Sequence, residues 1–126
     1  MARAFTTAYA QHDARDGHDR SYADAGVRAA RFATGKLVEV LSQKRPGQDA
    51  PWAALRSEHA RQMAKISSVV VPDGAPAVTS SSALVRVGYT LTTTPASGRS
   101  RTTDEQLALR LDHTAEGWRV AALPWA

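Results

Sequence analysis

The chain has 126 residues, 43% apolar and 22% charged, with a net charge of +4 and no cysteine. Such a length and balance fit one domain with a core of its own, and the missing thiols exclude disulfides, thiol catalysis and thiolate metal sites. The positive charge is mild and carried by scattered arginines rather than by the basic stripe with interleaved aromatics of a nucleic-acid surface, and no apolar run approaches the roughly 20 residues that span a bilayer.

Phe5, Ala8, Tyr9 and His12 recur at helical spacing and predict a first helix over residues 2–12 with Phe5 and Tyr9 inward. The pattern starts with neither cap nor leader in front, as in a domain that follows a membrane anchor, so an anchor before Met1 is expected. Residues 13–20 are a polar break. Ser21 is a fitting N-cap with Asp24 three residues on, and Tyr22, Ala25, Ala29 and Phe32 form the stripe of a second helix. Thr34-Gly35 interrupts it. Leu37, Val38 and Leu41 extend the stripe, after a kink or as a separate helix. Beyond the loop at 44–51, Trp52, Leu55, His59 and Met63 predict another helix, with Pro51 in its first turn, where proline is tolerated.

From residue 64 the composition changes. Ile66, Val69, Val70 and Val71 read as a strand, and Pro72-Asp73-Gly74-Ala75-Pro76 as a turn. Val85, Val87, Tyr89 and Leu91 then alternate with Arg86 and Thr90. Leu107, Leu109 and Leu111 alternate with Arg110 and Asp112, and Trp118, Val120 and Ala122 with Arg119. Period two means a sheet with one dry and one wet face, and the short turns between the runs make it an antiparallel meander. Helices and strands are segregated, so the class is α+β: N-terminal helices packed in a curved four-stranded antiparallel sheet. The expected core is Phe5, Tyr9, Phe32, Leu37, Leu41, Trp52, Leu55, Val70, Val85, Val87, Tyr89, Leu91, Leu107, Leu109, Leu111, Trp118 and Val120. Trp125, beside Pro124, is expected to tuck over the helix layer.

This order of elements, the opening with Phe5 and Ala8-Tyr9, the alanine-rich second helix, the valine-rich strands and the closing Gly117-Trp118-Arg119-Val120 resemble the nuclear-transport-factor-like (cystatin-like) superfamily. The resemblance implies a cone, in which a strongly bent sheet wraps around the helices. Within the superfamily the chain is similar to two groups. One is the extracytoplasmic domain of membrane-anchored scaffold proteins of conjugation and type IV secretion machinery. The other is the membrane-anchored proteins associated with mammalian-cell-entry operons. Both imply a bacterial, non-catalytic module held outside the cytoplasm, acting on other protein components of a membrane-associated complex, with homo-oligomerisation open and no nucleic acid. The alanine- and arginine-rich, lysine-poor composition fits a high-GC bacterial source.

Three sets of residues could carry function. The densest group of ligating side chains, His12, Asp13, Asp16, His18 and Asp19, lacks calcium-loop spacing, because Arg15 stands third and Gly17 fifth. It reads as a polar loop, and no metal or cofactor is expected. Enzymes of the cone fold hold a carboxylate or histidine base and tyrosine hydroxyls inside the cone, where burial tunes the base. The residues available for such a pocket are Asp24, His59, Tyr9, Tyr22 and Tyr89, each with a plain role as helix-end or core residue. The third set is a surface. Arg86, Arg110 and Arg119 project from the wet sheet face, and Arg99 and Arg101 from the adjoining hairpin. Such a face either meets an acidic partner or keeps the sheet soluble. A filled cone would favour the scaffold, and a roomy pocket the enzyme or ligand binder.

Overall fold

The computed structural model describes residues 1–124, so the expectation for Trp125 lies outside the described residues. Four helices precede four strands: α1 (Ala2–Ala10), α2 (Ala23–Ala29), α3 (Lys36–Leu41), α4 (Asp49–Glu58), then β1 (Arg61–Val70), β2 (Ser82–Thr94), β3 (Arg101–Thr114) and β4 (Gly117–Ala122). The strands form one antiparallel meander in the order β1-β2-β3-β4. Short 3-10 turns at Ala30–Phe32 and Pro46–Gln48 extend α2 and lead into α4. No helix among the described residues is long and apolar enough to cross a membrane.

The helices cover one sheet face. Phe5 from α1, Leu37 and Leu41 from α3, Val85 and Val87 from β2, Leu107 and Leu109 from β3 and Val120 from β4 are buried in a single cluster, with Tyr9, Phe32, Tyr89 and Leu111 packed at its margin. Leu55 belongs instead to a small second cluster with Ala14 and Ala60, flanked by Tyr22 and Trp52. The close approach of α2 to α3 depends on Gly26, where an added Cβ would overlap the Leu41 carbonyl oxygen.

Two expectations are corrected. Val70 is 44% exposed and Val69 is packed on the core in its place. The cause is a β-bulge between Ile66 and Ser68, which inserts one residue and reverses the alternation beyond it. The helix expected to carry His59 and Met63 stops at Glu58. His59 adopts a left-handed conformation (φ 48°) as its C-cap, and Met63 lies in β1 opposite Thr92.

Candidate functional site

A cavity of about 590 Å³ opens between the helix layer and the sheet. Leu37, Leu41 and Leu91 give it apolar walls, and Tyr9, Tyr22 and Tyr89 bring three phenols to it from α1, the start of α2 and β2. The cone is therefore not filled, against the expectation for a pure scaffold. Among the described residues none of the three hydroxyls has a hydrogen-bond partner. Burial raises the Tyr22 and Tyr89 pKa values above the ordinary 10.0, assisted at Tyr89 by the Glu105 carboxylate and at both by neighbouring phenols. Both are neutral donors at neutral pH. Glu105 stands directly opposite Tyr89 on β3 and lines the same cavity.

The buried polar group of the cavity is His12, 5% exposed. Its ring stacks on Tyr22 at a centroid distance of 3.8 Å, and Nδ1 lies 2.8 Å from Gln62 Oε1. Because that oxygen accepts, Nδ1 carries the proton and Nε2 the lone pair. Gln62 Nε2 in turn donates to Thr93 Oγ1 at 3.3 Å, so the buried chain ends on a satisfied hydroxyl. Burial holds the His12 pKa below its ordinary 6.5, against the opposing pull of the Gln62 hydrogen bond and the Asp19 charge. His12 is a neutral imidazole at pH 7. The arrangement can bind a ligand through phenol, amide and imidazole groups. No acid or nucleophile is hydrogen-bonded to His12 among the described residues.

Neither Asp24 nor His59 lines the cavity. Asp24 accepts from the Arg20 N–H at 2.7 Å and from Ser21 Oγ at 3.1 Å, tying down the start of α2. Its pKa is lowered: partial burial opposes, but these hydrogen bonds outweigh it. Ser21 thus donates to Asp24 and is not itself the cap, which falls at Tyr22. His59 is exposed, with Nε2 3.9 Å from Asp16. In the polar loop the carboxylates are already engaged: Arg15 Nε donates to Asp13 at 2.8 Å and Arg28 Nη1 to Asp19 at 2.5 Å. Gln62 and Glu105 were not among the residues expected at the cavity, and His12, expected in a polar loop, belongs to it instead. His12 carried a signal, since its spacing from Phe5 and Tyr9 already put it on their stripe.

The second location is the uncovered sheet face. Arg86 and Arg110 are exposed on β2 and β3, and Arg119 is half-buried on β4. Their registers put all three on the face opposite Val85, Val87 and Leu109. The patch is mixed, not purely basic. Arg110 Nε is 3.6 Å from Asp112, Asp112 faces Arg119 across the strands, and Arg119 Nη1 donates to the Trp118 carbonyl at 2.8 Å. Lys65 adds a further cation on β1, and Thr90 Oγ1 donates to Asp104 at 3.0 Å. In the hairpin Arg99 is exposed, whereas Arg101 makes two hydrogen bonds to Glu58, at 2.8 and 2.7 Å, that fasten the loop to the end of α4.

The helix layer, the meander and the cavity between them define a cone-shaped α+β domain of the nuclear-transport-factor-like fold. Comparison with solved structures finds the VirB8 protein of Agrobacterium tumefaciens, with a TM-score of 0.65 and 12% identity, over 97% of this chain and 84% of that one. At that identity the likeness is one of fold. The intermembrane space region of the chloroplast protein ARC6 is also matched, with a TM-score of 0.43 and 8% identity over 79% of this chain and 78% of that one. No protein-family model and no curated protein matches the sequence.

Proposed function

We propose that this domain is a non-catalytic assembly module of a conjugation or secretion machinery, held outside the cytoplasm by a membrane anchor in the full-length protein. It acts through protein–protein contact. The carrying observation is the sheet face that no helix among the described residues covers, from which Arg86 and Arg110 extend, exposed. A rigid sheet presenting guanidinium groups suits carboxylates on an acidic partner surface. The fold held in common with VirB8, together with the sequence resemblance to scaffold domains of secretion machinery, supports the reading. A pull-down against the other components of the host system tests it. Arg86→Glu combined with Arg110→Glu abolishes partner capture while the domain stays folded. If every interaction survives the double reversal, the open face is not the partner surface.

A second reading is favoured by the cavity: a small-ligand binder, or an isomerase-, cyclase- or dehydratase-like enzyme of the same fold. Three phenols without a hydrogen-bond partner among the described residues and a neutral buried imidazole converging on about 590 Å³ are what such a site needs. A thermal-shift screen of small aromatic and alicyclic compounds separates the two. Under this reading a hit raises the melting temperature of the wild type, and Tyr89→Phe weakens the effect. Under the first reading no compound shifts it.

A further inference from the structure

Each edge of the sheet carries backbone groups that the sheet itself cannot satisfy. The β4 edge is met at Val120: Thr34 N–H donates to the Val120 carbonyl at 2.9 Å, and Ala33 bridges to Val120. The first half of the β1 edge is covered as well. Ala14 N–H donates to the Ala60 carbonyl, Gln62 N–H to the His12 carbonyl and Ala64 N–H to the Gln11 side-chain oxygen, each at 2.8 Å. These bonds identify the residues of β1 whose backbone turns outward. Such residues alternate along an antiparallel strand. Allowing for the bulge after Ile66, the next are Ile66 and Val69. Among the described residues nothing meets their outward groups. The residues around them, Ser67-Ser68-Val69-Val70-Val71, carry no charge and no proline and are rich in β-branched side chains. Val70 is 44% and Val71 49% exposed.

We propose that this half of β1 pairs antiparallel with the same stretch of a second copy, about a two-fold axis near Val69, so that one sheet runs through both copies. The charges at the ends of the stretch select this occupant. Lys65 precedes it and Asp73 follows it. Antiparallel self-pairing sets Lys65 of each copy against the Pro72-Asp73 turn of the other, so opposite charges meet twice. Parallel self-pairing would set like against like. Pairing about a two-fold axis uses the same edge segment of both copies at once, so the association closes at two copies instead of growing into a filament. The contact is short and belongs with weak, concentration-dependent interfaces. It does not depend on the partner proposed for the open face.

Sedimentation velocity over a wide concentration range tests the pairing, with circular dichroism confirming the fold of each variant. The wild type shows a reversible monomer–dimer equilibrium. Val70→Lys, at an exposed position, places two lysines near the axis and abolishes the dimer. Lys65→Asp or Asp73→Lys alone weakens it about tenfold, and the double reversal restores it. A wild type that is monomeric at every concentration overturns the proposal, as does a dimer that Val70→Lys leaves intact. A double reversal that fails to restore the dimer overturns the antiparallel register. A wild type that takes up a foreign strand but never self-associates also overturns it.

Discussion

Gly26→Ala probes the seam between α2 and α3. In most helices this change stabilises by about 1 kcal/mol, because alanine has less backbone freedom to lose than glycine. At position 26 the new Cβ overlaps the Leu41 carbonyl oxygen and comes 3.0 Å from its carbonyl carbon. The obstacle is backbone, with no flexible side chain to swing aside, so α3 has to retreat by about an ångström. Leu37 and Leu41 ride on α3 and are 8% and 7% exposed, so its retreat loosens the core and reshapes the cavity wall they form. Overpacking of this kind costs about 3 kcal/mol. Offset by about 1 kcal/mol of helix propensity, the net loss is about 2 kcal/mol. For a domain of this size that lowers the melting temperature by about 8 °C. Thermal and urea unfolding followed by circular dichroism measure it, with an unchanged urea slope confirming that the denatured state is not the cause. A variant as stable as the wild type, or more stable, refutes the reasoning, since it means that α3 yields at no cost.

Thr6 is fully buried and its hydroxyl has no partner among the described residues; Thr6→Val relieves that desolvation and stabilises by about 1 kcal/mol in urea unfolding, and a loss of similar size would show that the hydroxyl is bonded. His12 has a folded-state pKa below its ordinary 6.5, so below that value the unfolded chain binds the proton first. Its contribution is whole above about pH 6.5 and is lost as pH falls toward the folded value; unfolding measured across that window shows the loss, and His12→Gln flattens it. Tyr89→Phe removes a hydroxyl with no partner among the described residues and changes stability by less than about 1 kcal/mol; a larger loss in thermal unfolding would contradict the cavity geometry.

What the sequence alone determined is whatever is written in local periodicity. Val85, Val87, Leu107 and Leu109 alternate with polar residues and are buried, because a strand wet on one face must alternate wherever it pairs. The helices-then-meander order and the arginine-bearing outer face follow from the same rule. The tertiary structure decided what depends on pairing between distant segments. The bulge at Ser67 that exchanges Val70 for Val69 in the core exists only against β2, opposite Gly88 and Tyr89. Met63 fits the helical stripe of Leu55 and His59 by spacing, and only its place opposite Thr92 makes it a strand residue. Arg101 reads as a free hairpin cation until Glu58, far back in the chain, accepts both its hydrogen bonds. His12 lies at the head of a run of charged residues that makes it look solvated, yet Tyr22 and Gln62 enclose it. The cavity is the extreme case. Its three phenols come from α1, the start of α2 and β2, and no local pattern records that they meet, because a cavity is a property of how layers fail to fill space and not of any one element.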